Sequence, residues 1–168
     1  DYSRTDIPMK LGVTFPQTEI GTDPGVIKAY VQAAEDLGYD YVLVYEHVLG
    51  ADVSVRPDWL WNGQPPPYTH ESMFHEPFVL FAYLAAVTTS IEFETAVIIM
   101  PQRQTVLAAK QAAEVDVLSD GRLRLGVGTG WNYVEYESLS VDWDQRGRLL
   151  DEQINVMREL WSNDVVSI

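Results

Sequence analysis

Residues 39 to 50 read YDYVLVYEHVLG. The run Tyr41-Val42-Leu43-Val44-Tyr45 is short, apolar and uninterrupted, the pattern of a strand built for burial. It passes directly into an acid and an imidazole, Glu46 and His47. What that pair is for depends on where such strands finish.

The flanking segments alternate between strand and helix patterns. Upstream, KLGVTFP (Lys10 to Pro16) is a strand, and Pro24 opens a helix. That helix carries Ile27, Tyr30, Val31, Ala34 and Leu37 at helical spacing and stops at Gly38. Downstream, a connection over about residues 48 to 75 is rich in Pro, Trp and Gly. Pro77 then starts an apolar helix, FVLFAYLAAVTT. A third strand spans Glu92 to Met100, and a helix follows from Thr105 to Leu118, ending at the turn signal SDG. RLRLGVG is a fourth strand. Leu150, Ile154, Met157 and Trp161 then form the stripe of a last helix.

These are four consecutive β-α units without a linker or a low-complexity segment. Such units imply an α/β fold with parallel strands, right-handed crossovers and helices covering the sheet. Two closures are open: a doubly wound sheet, or half of a (β/α)8 barrel, which typically takes about 250 residues. Both place a functional site at the carboxyl ends of the strands. Glu46 and His47 therefore sit at a functional rim, or simply end a strand and meet solvent. Residues 1 to 8, DYSRTDIP, are polar and read as a leader or a cloning remnant ahead of a half-barrel over 9 to 168.

Composition narrows the function classes. The 168 residues are 46% hydrophobic and 21% charged, as expected of a soluble globular domain. No apolar stretch approaches the roughly 20 residues of a membrane span. The formal net charge of −14 would repel phosphate backbones and disfavours nucleic acid as a partner. With no cysteine the sequence offers neither disulfides nor thiolate metal sites, which suits a cytoplasmic protein. His70 and His75 are five apart in a loop, not the four-residue helical spacing of a zinc pair, so no metal is expected. His75-Glu76-Pro77 reads instead as a helix cap, with Glu76 at the positive end.

Several other residues could carry chemistry. LGVGTGWN (Leu125 to Asn132) spells G-x-G-x-G in the fourth unit, so it is not a dinucleotide fingerprint, which belongs to the first. Its glycines either let backbone approach a flat ring or meet a turn's need for positive φ. Arg103 reads as a surface ion pair on an acidic protein. Glu92 and Glu94 share a face and belong near the amino end of their strand or opposite a charged neighbour. Trp59, Trp61, Tyr68 and Phe74 form an apolar lid or a satellite core.

Taken together, KLGVTFP, AEDLGYDYVLVYEHV, HEPFVLFAYLAAVTTSIEFETAVIIMPQRQ and AAKQAAEVDVLSDGRLRLGVGTGWNYVEYE resemble the bacterial luciferase-like family of flavin- and coenzyme F-420-dependent oxidoreductases. The likeness runs from Met9 to about Trp161, and LSDGRLRLGVGTGW is its most specific part. It implies a (β/α)8 barrel of which this chain supplies the first four units. It further implies an F-420 or FMN ring at the barrel mouth, with hydride passing between that ring and a small organic substrate. By the same resemblance, Glu46 and His47 lie beside the ring, and His47 polarises or protonates the substrate. A non-proline cis peptide is implied at Ala96-Val97 under the ring, with Gly128, Thr129, Gly130, Trp131 and Asn132 along its edge. Two departures argue against a sugar-phosphate substrate: Trp131 where that branch has a glutamate, and Ala51 where it has a tryptophan. Because the phosphate site of the family comes largely from later strands, two expectations follow. One is a homodimer that completes the barrel. The other is a half-barrel module that self-associates without holding cofactor or turning over.

Overall fold

The strands are shorter than the sequence predicts, and two of them are broken. The computed structural model describes residues 9–167, so the leader assigned to residues 1–8 lies outside the described residues. The strands are β1 (Gly12–Thr14), β2 (Tyr41–Val44), β3 (Glu92–Thr95), β4 (Ile98–Ile99), β5 (Leu123–Arg124) and β6 (Val127–Gly128). A four-stranded sheet runs β1-β2-β3-β5, and a second layer of pairing joins β4 to β6, all of it parallel. β3 and β4 are therefore the two halves of the expected third strand, and β5 and β6 the halves of the fourth. The break in the third strand is at Ala96–Val97, whose peptide is cis, as the resemblance implied.

Among the described residues five α-helices follow the strands: α1 (Pro24–Asp36), α2 (Pro77–Ala85), α3 (Thr105–Leu118), α4 (Tyr133–Ser138) and α5 (Arg146–Ser162). Their starts are set by local chemistry. Proline fills the first position of α1 and α2, and side chains of Asp23, Glu76, Gln104 and Asn132 accept the first free amides. Glu76 thus caps α2 as its sequence position suggests, through Val79 N–H at 2.7 Å. The core lies between sheet and helices, with Phe15, Val42, Val44, Phe81, Leu84, Phe93, Ile98 and Met100 buried together.

Two expected core positions are not in it. Leu37 is the C-cap of α1, where the helix has already ended, and it is 77% exposed. Trp161 is 47% exposed; with Leu123, Leu125 and Ile154 it borders an open apolar groove beside β5 and β6. Among the described residues β1 pairs only with β2, and β5 only with β3, so both edges of the sheet are free. Glu92 and Glu94 face cations as expected: Lys10 reaches Glu92 at 2.5 Å, and Arg124 lies 3.5 and 3.6 Å from the two acids.

At the opposite end from the helix starts, Glu35 of α1 receives the N–H groups of Ser90, Ile91 and Thr89 and the Ser90 hydroxyl. Partial burial pushes its carboxyl up, but these donors outweigh it and hold the pKa at about 2, against an ordinary 4.5. A depressed carboxyl stabilises the fold above its unfolded value and stops doing so as pH falls through the folded one. Glu35→Gln should therefore lower the urea midpoint at neutral pH, with the deficit shrinking between pH 4.5 and about 2. Urea melts of both proteins across that window check it; a deficit that ignores pH would contradict it.

Candidate active site

The carboxyl ends of β2, β4 and β6 converge on one rim. Glu46, directly past β2, does not meet solvent: it is 4% exposed. The N–H of Ile99 at the end of β4 donates to its Oε1 at 2.5 Å, and Arg103 pairs with its Oε2. Arg103 also reaches Glu76 Oε1 at 2.8 Å, so it ties the β2 rim to the starts of α2 and α3. This corrects the reading of Arg103 as a surface ion pair, since its side chain is only 15% exposed. Burial pushes the Glu46 carboxyl up, and contact with Arg103 pulls it part of the way back. Its oxygens are both engaged, which makes it the brace of the rim.

His47 is enclosed by three aromatic rings. Tyr68 lies at 4.1 Å between centroids, Phe74 at 5.2 Å and Trp131 at 5.4 Å. Its Nδ1 is 2.6 Å from the Tyr68 hydroxyl and 3.2 Å from Glu135 Oε1. Of the two readings of the long connection, the satellite core is what forms: Ala51, Trp59, Tyr68 and Val134 are buried together, with Phe74 and Trp131 packed on them. Trp59 and Trp131 are nearly parallel, 8° apart. Trp61 stays at the edge, 43% exposed.

Glu135 is the residue that sequence reasoning missed. Fully buried on α4, it accepts from Val48 N–H at 2.7 Å and Leu49 N–H at 3.4 Å on Oε1. Gln102 donates to Oε2 at 2.9 Å. The signal was present: Asn132 to Glu135 has the spacing of a capping box, N-cap to third helical residue. Here the glutamate turns away from its own helix and anchors the loop that carries His47.

The glycine run has more than one cause. Gly130 sits at φ +68°, a left-handed turn. Gly128 packs on Val97; a Cβ there would come within 2.6 Å of Val97 Cγ2. Gly128 thus lies against the break at Ala96–Val97 and Gly130 against Ile99, while Val97 stays 39% exposed at the rim. Thr129 offers its carbonyl to the Tyr136 hydroxyl. Asn132 turns inward, wholly buried, and its side chain meets Tyr68, Leu49 and Val134. His70 and His75 do not join this site, and His75 Nε2 is 3.0 Å from the Gly21 carbonyl. Among the described residues no group of three or more His, Asp or Glu could hold a metal ion.

A parallel (β/α)4 unit whose strand ends gather a half-buried histidine, a cis-peptide bulge and a glycine turn defines a class. The chain matches the luciferase-like monooxygenase family over residues 9–168, and it belongs to that family. An uncharacterised protein of Mycobacterium tuberculosis is 42% identical over 158 residues, covering 89% of this chain and 52% of its own length. The pyrimidine monooxygenase RutA of Allorhizobium ampelinum is 31% identical over 143 residues, 82% of this chain and 35% of its own. Among solved structures, the FMN complex of the oxygenating constituent of Pseudomonas putida 3,6-diketocamphane monooxygenase superposes with a TM-score of 0.70. It is 18% identical, covering 92% of this chain and 40% of its own. The coenzyme F-420-dependent tetrahydromethanopterin reductase of Methanopyrus kandleri gives 0.53 at 17% identity, over 79% and 30%. The chain thus spans about half the length of the first of these relatives, and its fold is the corresponding part of a luciferase-like barrel. Among the described residues no helix is long and apolar enough to cross a membrane.

Proposed function

We propose that this chain is the ring-binding half of a cytoplasmic flavin-dependent monooxygenase, and that a second copy completes its barrel. The observation that carries the reading is the meeting of His47, the Ala96–Val97 bulge and the Gly128–Trp131 turn on one rim. The ring would lie on Val97 and the Gly128–Gly130 backbone, with His47 beside it to polarise a small organic substrate. Bound there, the isoalloxazine of FMN supplies the redox chemistry of the reaction. Asn132 and Glu46 serve by holding Tyr68 and Arg103 in place.

The residues present fit the ring but not its phosphate tail. Arg103 and Arg56, two cations at this end of the fold, are each engaged by two carboxylates. Further phosphate donors would come from the completing copy, and the free sheet edges and the groove beside Trp161 are where it would dock. The same observation supports a second reading, a self-associating half-barrel without turnover. The similar structures include an FMN complex and a coenzyme F-420-dependent reductase, so both cofactors are put to the test.

Titrating FMN and coenzyme F-420 separately into the protein, with light scattering on the same samples, tests this. The expected result is saturable quenching of FMN fluorescence in a self-associated species, lost in His47→Ala. Binding of F-420 alone would replace the cofactor. A dimer that binds neither supports the second reading, and a well-folded monomer rules out completion by a second copy.

A further inference from the structure

We propose that Tyr68, itself fixed by Asn132, holds neutral His47 in the tautomer with its proton on Nε2, so that the ring faces a ligand only as a hydrogen-bond donor. This rests on the reading above for what the imidazole meets, but the tautomer itself does not depend on a cofactor.

Asn132 decides the direction. Its Oδ1 accepts from Val134 N–H at 3.0 Å, and its Nδ2 reaches the Leu49 carbonyl at 3.3 Å and the Tyr68 hydroxyl at 2.7 Å. Reversing the amide would set an oxygen against a carbonyl and an NH2 against an N–H, so Nδ2 is the atom that faces Tyr68. The phenol oxygen therefore accepts from Asn132, and its own proton must go elsewhere. The partner within reach is His47 Nδ1, at 2.6 Å. Burial, with the nearby Glu135 charge, pushes the Tyr68 hydroxyl well above its ordinary value, so the phenol keeps that proton to give. An Nδ1 that accepts leaves the proton of a neutral imidazole on Nε2.

Glu135 provides the alternative that makes the arrangement testable. Its Oε1, 3.2 Å from the same Nδ1, is already supplied by Val48 N–H at 2.7 Å. With the Tyr68 hydroxyl gone, that carboxylate becomes the acceptor within reach, and Nδ1 would take the proton. Tyr68 is thus a positioning residue, acting through His47.

Nitrogen-15 histidine labelling reads the tautomer directly. The protein has three histidines, and the His47 signals are those missing from His47→Gln. Long-range proton–nitrogen spectra at pH about 8.5, two units above an ordinary imidazole pKa, should show a protonated Nε2 and an accepting Nδ1. In Tyr68→Phe the two nitrogen shifts should exchange. A wild-type ring protonated on Nδ1 overturns the proposal, whether or not Tyr68→Phe folds; so does a folded Tyr68→Phe that keeps Nε2–H. Nε2–H in a protein that binds no cofactor upholds the tautomer and removes only the functional reading. Nδ1–H in a protein that binds FMN does the reverse.

Discussion

Glu135→Ala should cost about 3–5 kcal/mol of folding stability, although its carboxylate is held by residues between the strands and not by a strand of the sheet. The carboxylate is fully buried and accepts from Val48 N–H, Leu49 N–H and Gln102 Nε2, with His47 Nδ1 alongside. Alanine strands those donors away from water, at roughly 1–3 kcal/mol for each one left unmade. It also opens a void in a packed site. Glu135→Gln should be far milder, about 1 kcal/mol. The glutamine oxygen can keep the Val48 amide, and Gln102, whose Oε1 has no partner, can turn its amide to match. Urea denaturation followed by tryptophan fluorescence separates the two. A Glu135→Ala midpoint close to wild type would mean that the His47 loop is anchored by something else.

Arg103→Met should be nearly as damaging at neutral pH, again about 3–5 kcal/mol, because it leaves Glu46 buried and unpaired. The sign of the pH dependence is a sharper test than the size. Without Arg103, burial and the nearby Glu76 charge oppose only the Ile99 N–H, so the folded pKa of Glu46 rises further. A raised carboxyl favours the protonated folded form, so the penalty should shrink in acid and grow as pH rises. Removing both charges, in Arg103→Met with Glu46→Leu, should recover most of the loss, since well-packed apolar pairs replace buried ion pairs at little cost. Melts across the acid-to-neutral range decide it. A penalty that grows toward acid, or a double variant worse than Arg103→Met, would show that the pair does not act as a unit.

Helix starts were legible because their causes are local. Pro24, Pro77 and the Gln104–Thr105 boundary each place a cap within a few residues of the turn it closes, and the observed helices begin there. The strand order followed from alternation, and the rim position of Glu46 and His47 from the direction of a parallel strand. Leu37 and Trp161 misled because a helical stripe says which side is apolar but not whether a neighbour reaches it.

What residue order settled for this chain is the four-unit parallel frame and the rim at which Glu46 and His47 lie, since hydrophobic period and caps act between near neighbours. The fate of the charges was settled in three dimensions. Glu135 meets a loop 86 to 88 residues away, and Arg103 closes on an acid 57 residues back. Whether such groups are solvated or buried depends on which distant donors arrive. Desolvation then turns an ordinary glutamate into an anchor and a lone arginine into a brace.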